Sequence, residues 1–348
     1  MLRYWVVGLI LLLAAGGLAA GCWIRHELVT PFYKGSAPET FVQIPRGANA
    51  GTIASSLTAA GVLHARYPFI LFLRWTGSSR HLQAGEYRFS APVTPIQIAN
   101  RLAQGDVYYL SITVPEGLTA RETIQHLARA GLGNISEMEM ALLRTDWIGD
   151  LDARAQSLEG YLFPETYRFA RLATSEDIIR SMVQLFRERF ARLAAEHPLQ
   201  SGWTISNLVT LASMVEKEAK TEAERPLVAS VFLNRLNRGM ALACDPTIIY
   251  ALKLSGKFDG NLRKEDLAIS SPYNTYVHPG LPPGPIANPG ASSLRAVMSP
   301  MRTDYLYFVA RNDGTHHFSK DLASHLNAVA RYQKTLSSSV KSVRRPAN

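Results

Sequence analysis

Residues 42–63 read VQIPRGANAGTIASSLTAAGVL, and residues 112–133 read ITVPEGLTARETIQHLARAGLG. The second stretch repeats the first at an offset of 70 positions, with Pro45/Pro115, Gly47/Gly117, Ala50/Ala120, Leu57/Leu127, Ala60/Ala130 and Gly61/Gly131 coinciding. Each copy opens as a short strand and turns at Pro-x-Gly. It then runs on as an amphipathic helix to a glycine suited to a left-handed C-cap. Between the copies, Ala84 to Phe89 reads as a strand and Pro95 to Leu102 as a helix. Residues 40–135 therefore read as a small α+β region. The competing view is that strand–turn–helix units are common and the matches coincidental.

Upstream, no charged residue occurs from Tyr4 to Ile24. A helix over that run spans about 31 Å, the thickness of a bilayer core. Trp5 and Trp23 lie near its ends, where indole rings favour the membrane interface. Arg3 precedes the run, and Arg25 and Glu27 follow it. The pattern predicts a single-pass transmembrane helix over 4–24, a cytoplasmic stub at 1–3, a linker over 25–39, and the remaining chain outside the cytoplasmic membrane. A cleaved signal peptide is one alternative, although signal h-regions are shorter. Lipid attachment at Cys22 is another, although Ala19 stands where such motifs usually carry Leu.

The chain has 348 residues, of which 47% are hydrophobic and 19% charged, enough for two packed modules. That composition excludes disordered, collagen-like and disulfide-stapled classes. Two cysteines, Cys22 and Cys244, exclude a metal site built on a cysteine cluster. The balance of 37 Lys and Arg against 28 Asp and Glu gives a net charge of +9. Such a balance fits nucleic acid, anionic lipid or an acidic polymer. An extracytoplasmic position disfavours DNA and RNA and leaves the polymer.

The second half changes character. Glu176 to Ala195, Ser206 to Ala219 and Leu227 to Arg238 read as amphipathic helices. Asp245-Pro246-Thr247 opens another, with Asp as N-cap and Pro at the first helical position. A turn-rich stretch follows, through Ser271-Pro272-Tyr273-Asn274, Pro282-Pro283-Gly284 and Asn288-Pro289-Gly290. A loop this long in a compact domain is usually functional. Tyr305 to Ala310 reads as a strand, Asp321 to Gln333 as a closing helix, and 334–348 as a basic flexible tail.

On the helix around Leu208 to Ala219, a 100° turn per residue places Leu208, Leu211, Ala212, Val215 and Ala219 in one apolar stripe. Lys217 points away from it and Glu216 falls to one side. Glu218 lies beside Leu211 at the stripe's edge. A carboxylate carried into apolar company has its charged form desolvated and its pKa raised, which suits a general acid. The competing role is a boundary glutamate paired with Arg225 or Arg235. The sequence contains no G-x-S-x-G elbow, no G-x-x-x-x-G-K-S/T loop and no H-E-x-x-H. His316-His317 reads as a strand or loop pair, Cys244 as a packed residue, and no metal or cofactor is expected.

Several stretches then resemble, in order over about residues 155–330, the endolytic murein transglycosylases of the YceG-like family. They are EGYLFPETY at 159–167, LASMVEKE at 211–218, VASVFLNRLNR at 228–238, DPTIIY at 245–250, SPYNTY at 271–276, GLPPGPI at 280–286 and HHF at 316–318. The chain departs from the pattern at Leu242-Ala243-Cys244, where more polar residues are expected.

The resemblance implies an α+β chain of three parts: an N-terminal transmembrane helix, a LysM-like module over 40–135, and a helix-rich mixed catalytic domain over 136–333. It implies a lyase anchored in the bacterial inner membrane, with its catalytic domain on the periplasmic side. The enzyme would cleave the MurNAc–GlcNAc bond of nascent peptidoglycan strands to 1,6-anhydro ends, limit strand length, and work beside peptidoglycan synthases. The family's catalytic glutamate maps to Glu218. Asn274, Tyr276, Asn288 and Thr247 are candidates for hydrogen bonds to sugar, and Tyr273 and Phe318 for stacking. Glu159, Glu165 and Asp245 are the candidates for a second carboxylate, with structural roles favoured; Glu159 and Glu165 are also groove candidates. The Asn residues could instead hold turns. A non-catalytic glycan-binding scaffold and an ordinary peptidoglycan hydrolase are the rival functions.

Overall fold

The computed structural model describes residues 2–34, 38–199 and 202–334. The tail from 335 and most of the Lys34–Pro38 segment therefore lie outside the described residues. The chain divides into two units, one of Met1–Leu110 with Arg168–Leu172 and one of Ser111–Tyr167 with Ala173–Asn348.

The first unit begins with helix α1 (Leu2–Val29), followed by β1 (Thr40–Ile44), α2 (Ala50–Ala59), α3 (Arg66–Trp75), β2 (Gly85–Phe89) and α4 (Pro95–Gln104). From Tyr4 to Val29, α1 is long and apolar enough to cross a membrane. It outruns the 4–24 span because nothing breaks it before Pro31, and Glu27 in its last turns holds His64 Nδ1 at 3.0 Å. Cys22 sits inside this continuous helix. β1 and β2 pair antiparallel with Val42 opposite Tyr87, both buried. Alternation carries Val42, Ile44, Tyr87 and Phe89 to one side, where Leu57, Phe69, Leu73, Ile98 and Leu102 from the three short helices complete a core. Thr94 and Gln97 close a capping box with Pro95 in the first turn of α4. The sequence reading did not anticipate α3, whose apolar run RYPFILFLRW lacks a side-chain cap.

β3 (Tyr109–Thr113) and β4 (Thr166–Ala170) pair with each other, and in these strands the chain passes from one unit to the other. The second unit carries α5 (Ala120–Arg129), α6 (Ile135–Ala141), α7 (Ser175–Glu196), α8 (Ile205–Glu218), α9 (Arg225–Asn237), α10 (Asp245–Leu254), α11 (Ala291–Met298), the β5 (Tyr307–Ala310) and β6 (His316–Ser319) hairpin, and α12 (Leu322–Val329). The architecture is mixed α+β, with small two-stranded sheets.

Helix α8 is the spine of this unit and packs on α9, α10 and α11. Every residue from Leu208 to Val215 is buried, so the helix is enclosed on all sides over that stretch rather than along one stripe. The long segment between α10 and α11 contains one short 3₁₀ turn, Lys264–Ala268, and otherwise no helix or strand.

Both repeat copies adopt the strand, turn and helix arrangement. Gly47 and Gly117 take positive φ values of 74° and 76° at the turns, and Gly61 and Gly131 take 70° and 79° past the helices. The copies nevertheless belong to different units. The turn of the second copy is tied to α8 by Lys217 Nζ, which donates to the Gly117 carbonyl at 3.0 Å. Local sequence similarity specifies the local path, while burial partners decide membership.

Candidate active site

Glu218 is the last residue of α8, where the buried part of the helix gives way to surface. The residue as a whole is part-exposed, while its carboxyl is desolvated among packed groups. The Cys244 thiol donates to its Oε1 at 3.3 Å. Burial pushes the Glu218 carboxyl up to about 7, assisted by the negative charge of Asp245. The Cys244 hydrogen bond and the Arg235 guanidinium act in the opposite direction. Near neutral pH the group is thus divided between acid and carboxylate, as a residue that both donates and takes a proton requires.

The groups around it come from three further segments. Arg235 on α9 donates through Nε to the Leu306 carbonyl at 2.6 Å and through a terminal nitrogen to the Leu242 carbonyl at 2.7 Å. Asp245 opens α10. The structure corrects its expected role: the N-cap position is Cys244, it has no side-chain cap, and Asp245 instead accepts a short hydrogen bond from the Tyr276 hydroxyl. Turning toward Tyr276 places a second negative charge near Glu218 rather than on the helix end. Tyr276 is 36% exposed, and burial together with Asp245 raises its hydroxyl pKa.

Glu216, two residues earlier, has another task. Its side chain is only 5% exposed and holds Arg225 at 2.8 Å, while Oε2 accepts from the Gly290 amide at 3.0 Å. Arg225 also reaches Glu116 at 3.2 Å. The pairing with Arg225 foreseen as an alternative for Glu218 thus belongs to Glu216. Lys217, expected to point away from the apolar stripe to solvent, is exposed, and its ammonium also donates to the Gly117 carbonyl.

The other predicted residues divide by burial. Asn274 is fully buried, donates to the Leu267 and Ile269 carbonyls and accepts from the Tyr276 amide. Asn288 is buried as well. Its Oδ1 accepts from the Gly160 and Leu162 amides at 3.0 and 3.1 Å, and its Nδ2 donates to the Leu118 carbonyl. Both amides are therefore committed to the backbone: Asn274 holds its own turn, the role named as its alternative, whereas Asn288 ties together backbone segments distant in sequence. Thr247 is buried, donating to the Cys244 carbonyl and bonding Thr275. Glu159 is buried under α5, where it accepts from the Ala120 amide at 2.9 Å and the Tyr250 hydroxyl at 3.2 Å. Burial pushes its carboxyl up to about 7. Tyr273 is half-buried and packs its ring 4.9 Å from that of Tyr250. Glu165 pairs with Arg189 on α7, and Phe318 packs on Tyr305 and Phe308.

Glu218, Tyr276 and Thr247 are thus brought together around Cys244 and Asp245, while Glu165 and Phe318 make their contacts elsewhere. His316 holds buried Glu224 at 2.9 Å, a structural pair. Two large grooves of this unit, about 680 and 760 Å³, are lined by residues such as Asn234 and Thr303, and Trp203 and Asn207; Glu218 lines neither. Arg235, named from the sequence as a possible partner of Glu218, acts on it through charge while its hydrogen bonds go to carbonyls. Cys244 is packed as read, but its contact with Glu218, 26 residues earlier, is marked by neither spacing nor periodicity.

The family model of the YceG-like family matches residues 42–331. An endolytic murein transglycosylase of Bacillus subtilis is 34% identical over 322 residues, covering 88% of each chain. An endolytic murein transglycosylase of Streptococcus pneumoniae is 29% identical over 92% of this chain and 63% of its own. A crystal structure of a yceG-like protein of Listeria monocytogenes superposes with a TM-score of 0.55 at 29% identity, over 83% of this chain and 98% of that one.

Proposed function

The chain belongs to the YceG-like family, and we propose that it is an endolytic murein transglycosylase in which Glu218 is the single acid–base group. The observation that carries the assignment of Glu218 is a desolvated carboxyl, raised to about 7, on a part-exposed residue at the end of a buried helix.

The protonated Glu218 donates to the oxygen joining MurNAc to GlcNAc, and the bond from that oxygen to the MurNAc anomeric carbon breaks. Positive charge grows at that carbon, and Asp245 nearby is placed to offset it. Glu218, now ionised, takes the proton from the MurNAc C6 hydroxyl as the C6 oxygen bonds to the anomeric carbon. The products are a 1,6-anhydro end and a free GlcNAc hydroxyl, and Glu218 regains its proton. No water is consumed, so the paired acid and base of an inverting hydrolase are not required. Residues 4–24 anchor the chain in the inner membrane with the rest outside. The strand–turn–helix region from residue 40 acts as a LysM-like glycan contact. Cleavage of nascent strands close to the membrane then sets their length beside the synthases.

Incubation of the full chain with peptidoglycan and mass analysis of the soluble products tests the reaction. Anhydro-MurNAc ends are expected. Reducing ends mean hydrolysis, and no release means a binding scaffold.

A further inference from the structure

The segment Ala241–Cys244 is held in a conformation that an ordinary residue resists. Ala243 takes a φ of +46°, in the left-handed region, without being glycine. Four contacts hold it there. Arg235 donates to the Leu242 carbonyl at 2.7 Å, the Ala243 amide donates to the Thr275 carbonyl at 3.0 Å, the Cys244 amide donates to Thr275 Oγ1 at 3.0 Å, and Thr247 Oγ1 donates to the Cys244 carbonyl at 2.7 Å. What the strained backbone presents is the Cys244 side chain, 1% exposed, with its sulfur 3.3 Å from Glu218 Oε1.

We infer that Cys244 is a positioning residue for the general acid: its thiol donates to Glu218 Oε1, fixes the carboxyl's rotation, and leaves Oε2 as the oxygen that gives and recovers the proton. This inference rests on the assignment of Glu218. Burial pushes the Cys244 thiol well above its usual range, so it remains protonated and serves as a donor rather than a nucleophile. A donor to a carboxyl group favours the ionised form, so removing it leaves the acid protonated to higher pH. The charged or titratable groups acting on Glu218 are Cys244 and Asp245 at the start of α10, Arg235 on α9 and Tyr276 in the loop. A change at Cys244 that spares the other three therefore reads out this contact.

The test compares the pH dependence of anhydro-end formation by the full chain with that of Cys244→Ala, Cys244→Ser and Glu218→Gln, with folding checked by melting. Cys244→Ala is expected to move the alkaline limb upward by about half a pH unit and to lower kcat about 3- to 10-fold through the unfixed carboxyl. Cys244→Ser, with a stronger donor, should restore kcat and place its limb at or below that of the parent. A purely structural cysteine lowers the melting temperature and leaves the limb where it was, which overturns the inference. Should Cys244→Ala fail to fold, a Cys244→Ser limb above the parent's overturns it alone, because the added donor strength has the wrong effect. An active Glu218→Gln removes the assignment of Glu218 and this inference together, whereas an inactive one beside unshifted cysteine variants removes this inference only.

Discussion

Replacing Glu218 by glutamine keeps the side chain's size and its ability to accept from the Cys244 thiol, and it removes the proton the residue would exchange. Loss of a general acid–base group lowers the rate about 10²- to 10⁴-fold. The same substitution acts on stability with a sign that depends on pH. The folded state holds this carboxyl at about 7 instead of its ordinary 4.5. A group raised in this way contributes stability that is fully present below about 4.5 and is lost as pH rises through about 7. Above both values the folded chain carries a desolvated charge at a cost of up to about 3 kcal/mol. Glutamine carries no charge. At pH 8 the variant should therefore melt about 3–10 °C higher than the parent, taking 2–4 °C per kcal/mol for a unit of this size and some loss from an amide less well paired than the acid. At pH 5 the carboxyl is protonated in the folded state and the difference falls below about 1 kcal/mol. Thermal unfolding at the two pH values, alongside release of anhydro products, checks both halves. A variant that keeps its activity refutes the assignment. One that melts at the same offset at pH 5 and pH 8 refutes the burial argument behind it.

Glu216→Gln should give the opposite pattern. It uncouples a pair whose side chains are 5% and 13% exposed, with Glu116 left to offset part of the Arg225 charge, so denaturant melts should show a loss of about 2–4 kcal/mol. Activity per folded molecule should stay within a few-fold of the parent; a dead but stable variant would mean that the acid lies on the other glutamate. Glu159→Gln should keep the bond from the Ala120 amide while removing a second carboxyl held up to about 7. The parent's decline in stability between about pH 5 and 7 should therefore become shallower, and an unchanged slope would show that Glu159 does not titrate in that range. Gly160→Ala adds a Cβ 2.5 Å from Pro285 at a φ of +87°, so a loss of about 3 kcal/mol or more is expected, seen as low soluble yield.

How legible these features were follows from how far apart in sequence their causes lie. The phase of a single helix was enough to bring Glu218 to the edge of an apolar face, because that argument involves one element and its own period. The burial of Val209, Ser213 and Met214 on the remaining faces of α8 required knowing that α9, α10 and α11 all pack on it. Asn288 was read as a loop residue free to meet a sugar, yet its partners are Gly160, Leu162 and Leu118, all more than a hundred residues away, and no local pattern announces them. The same holds for Asp245. The cap rule is sound, but it could not anticipate a tyrosine hydroxyl 31 residues later competing for the carboxylate. These misses share a direction. Asn274, Thr247 and Asn288 are turned inward: Asn274 holds carbonyls of the turn-rich stretch itself, Thr247 closes the start of α10, and Asn288 ties the end of the stretch to backbone at Gly160, Leu162 and Leu118. A loop whose hydrogen-bonding capacity is consumed in this way is rigid, and rigidity is what an acid–base group needs of its surroundings if its carboxyl is to meet one oxygen and then another without reorganisation. Of the loop residues expected to meet sugar, Tyr276 keeps surface while remaining coupled to Glu218 through Asp245. Recognition is therefore expected to act at the same point as the chemistry.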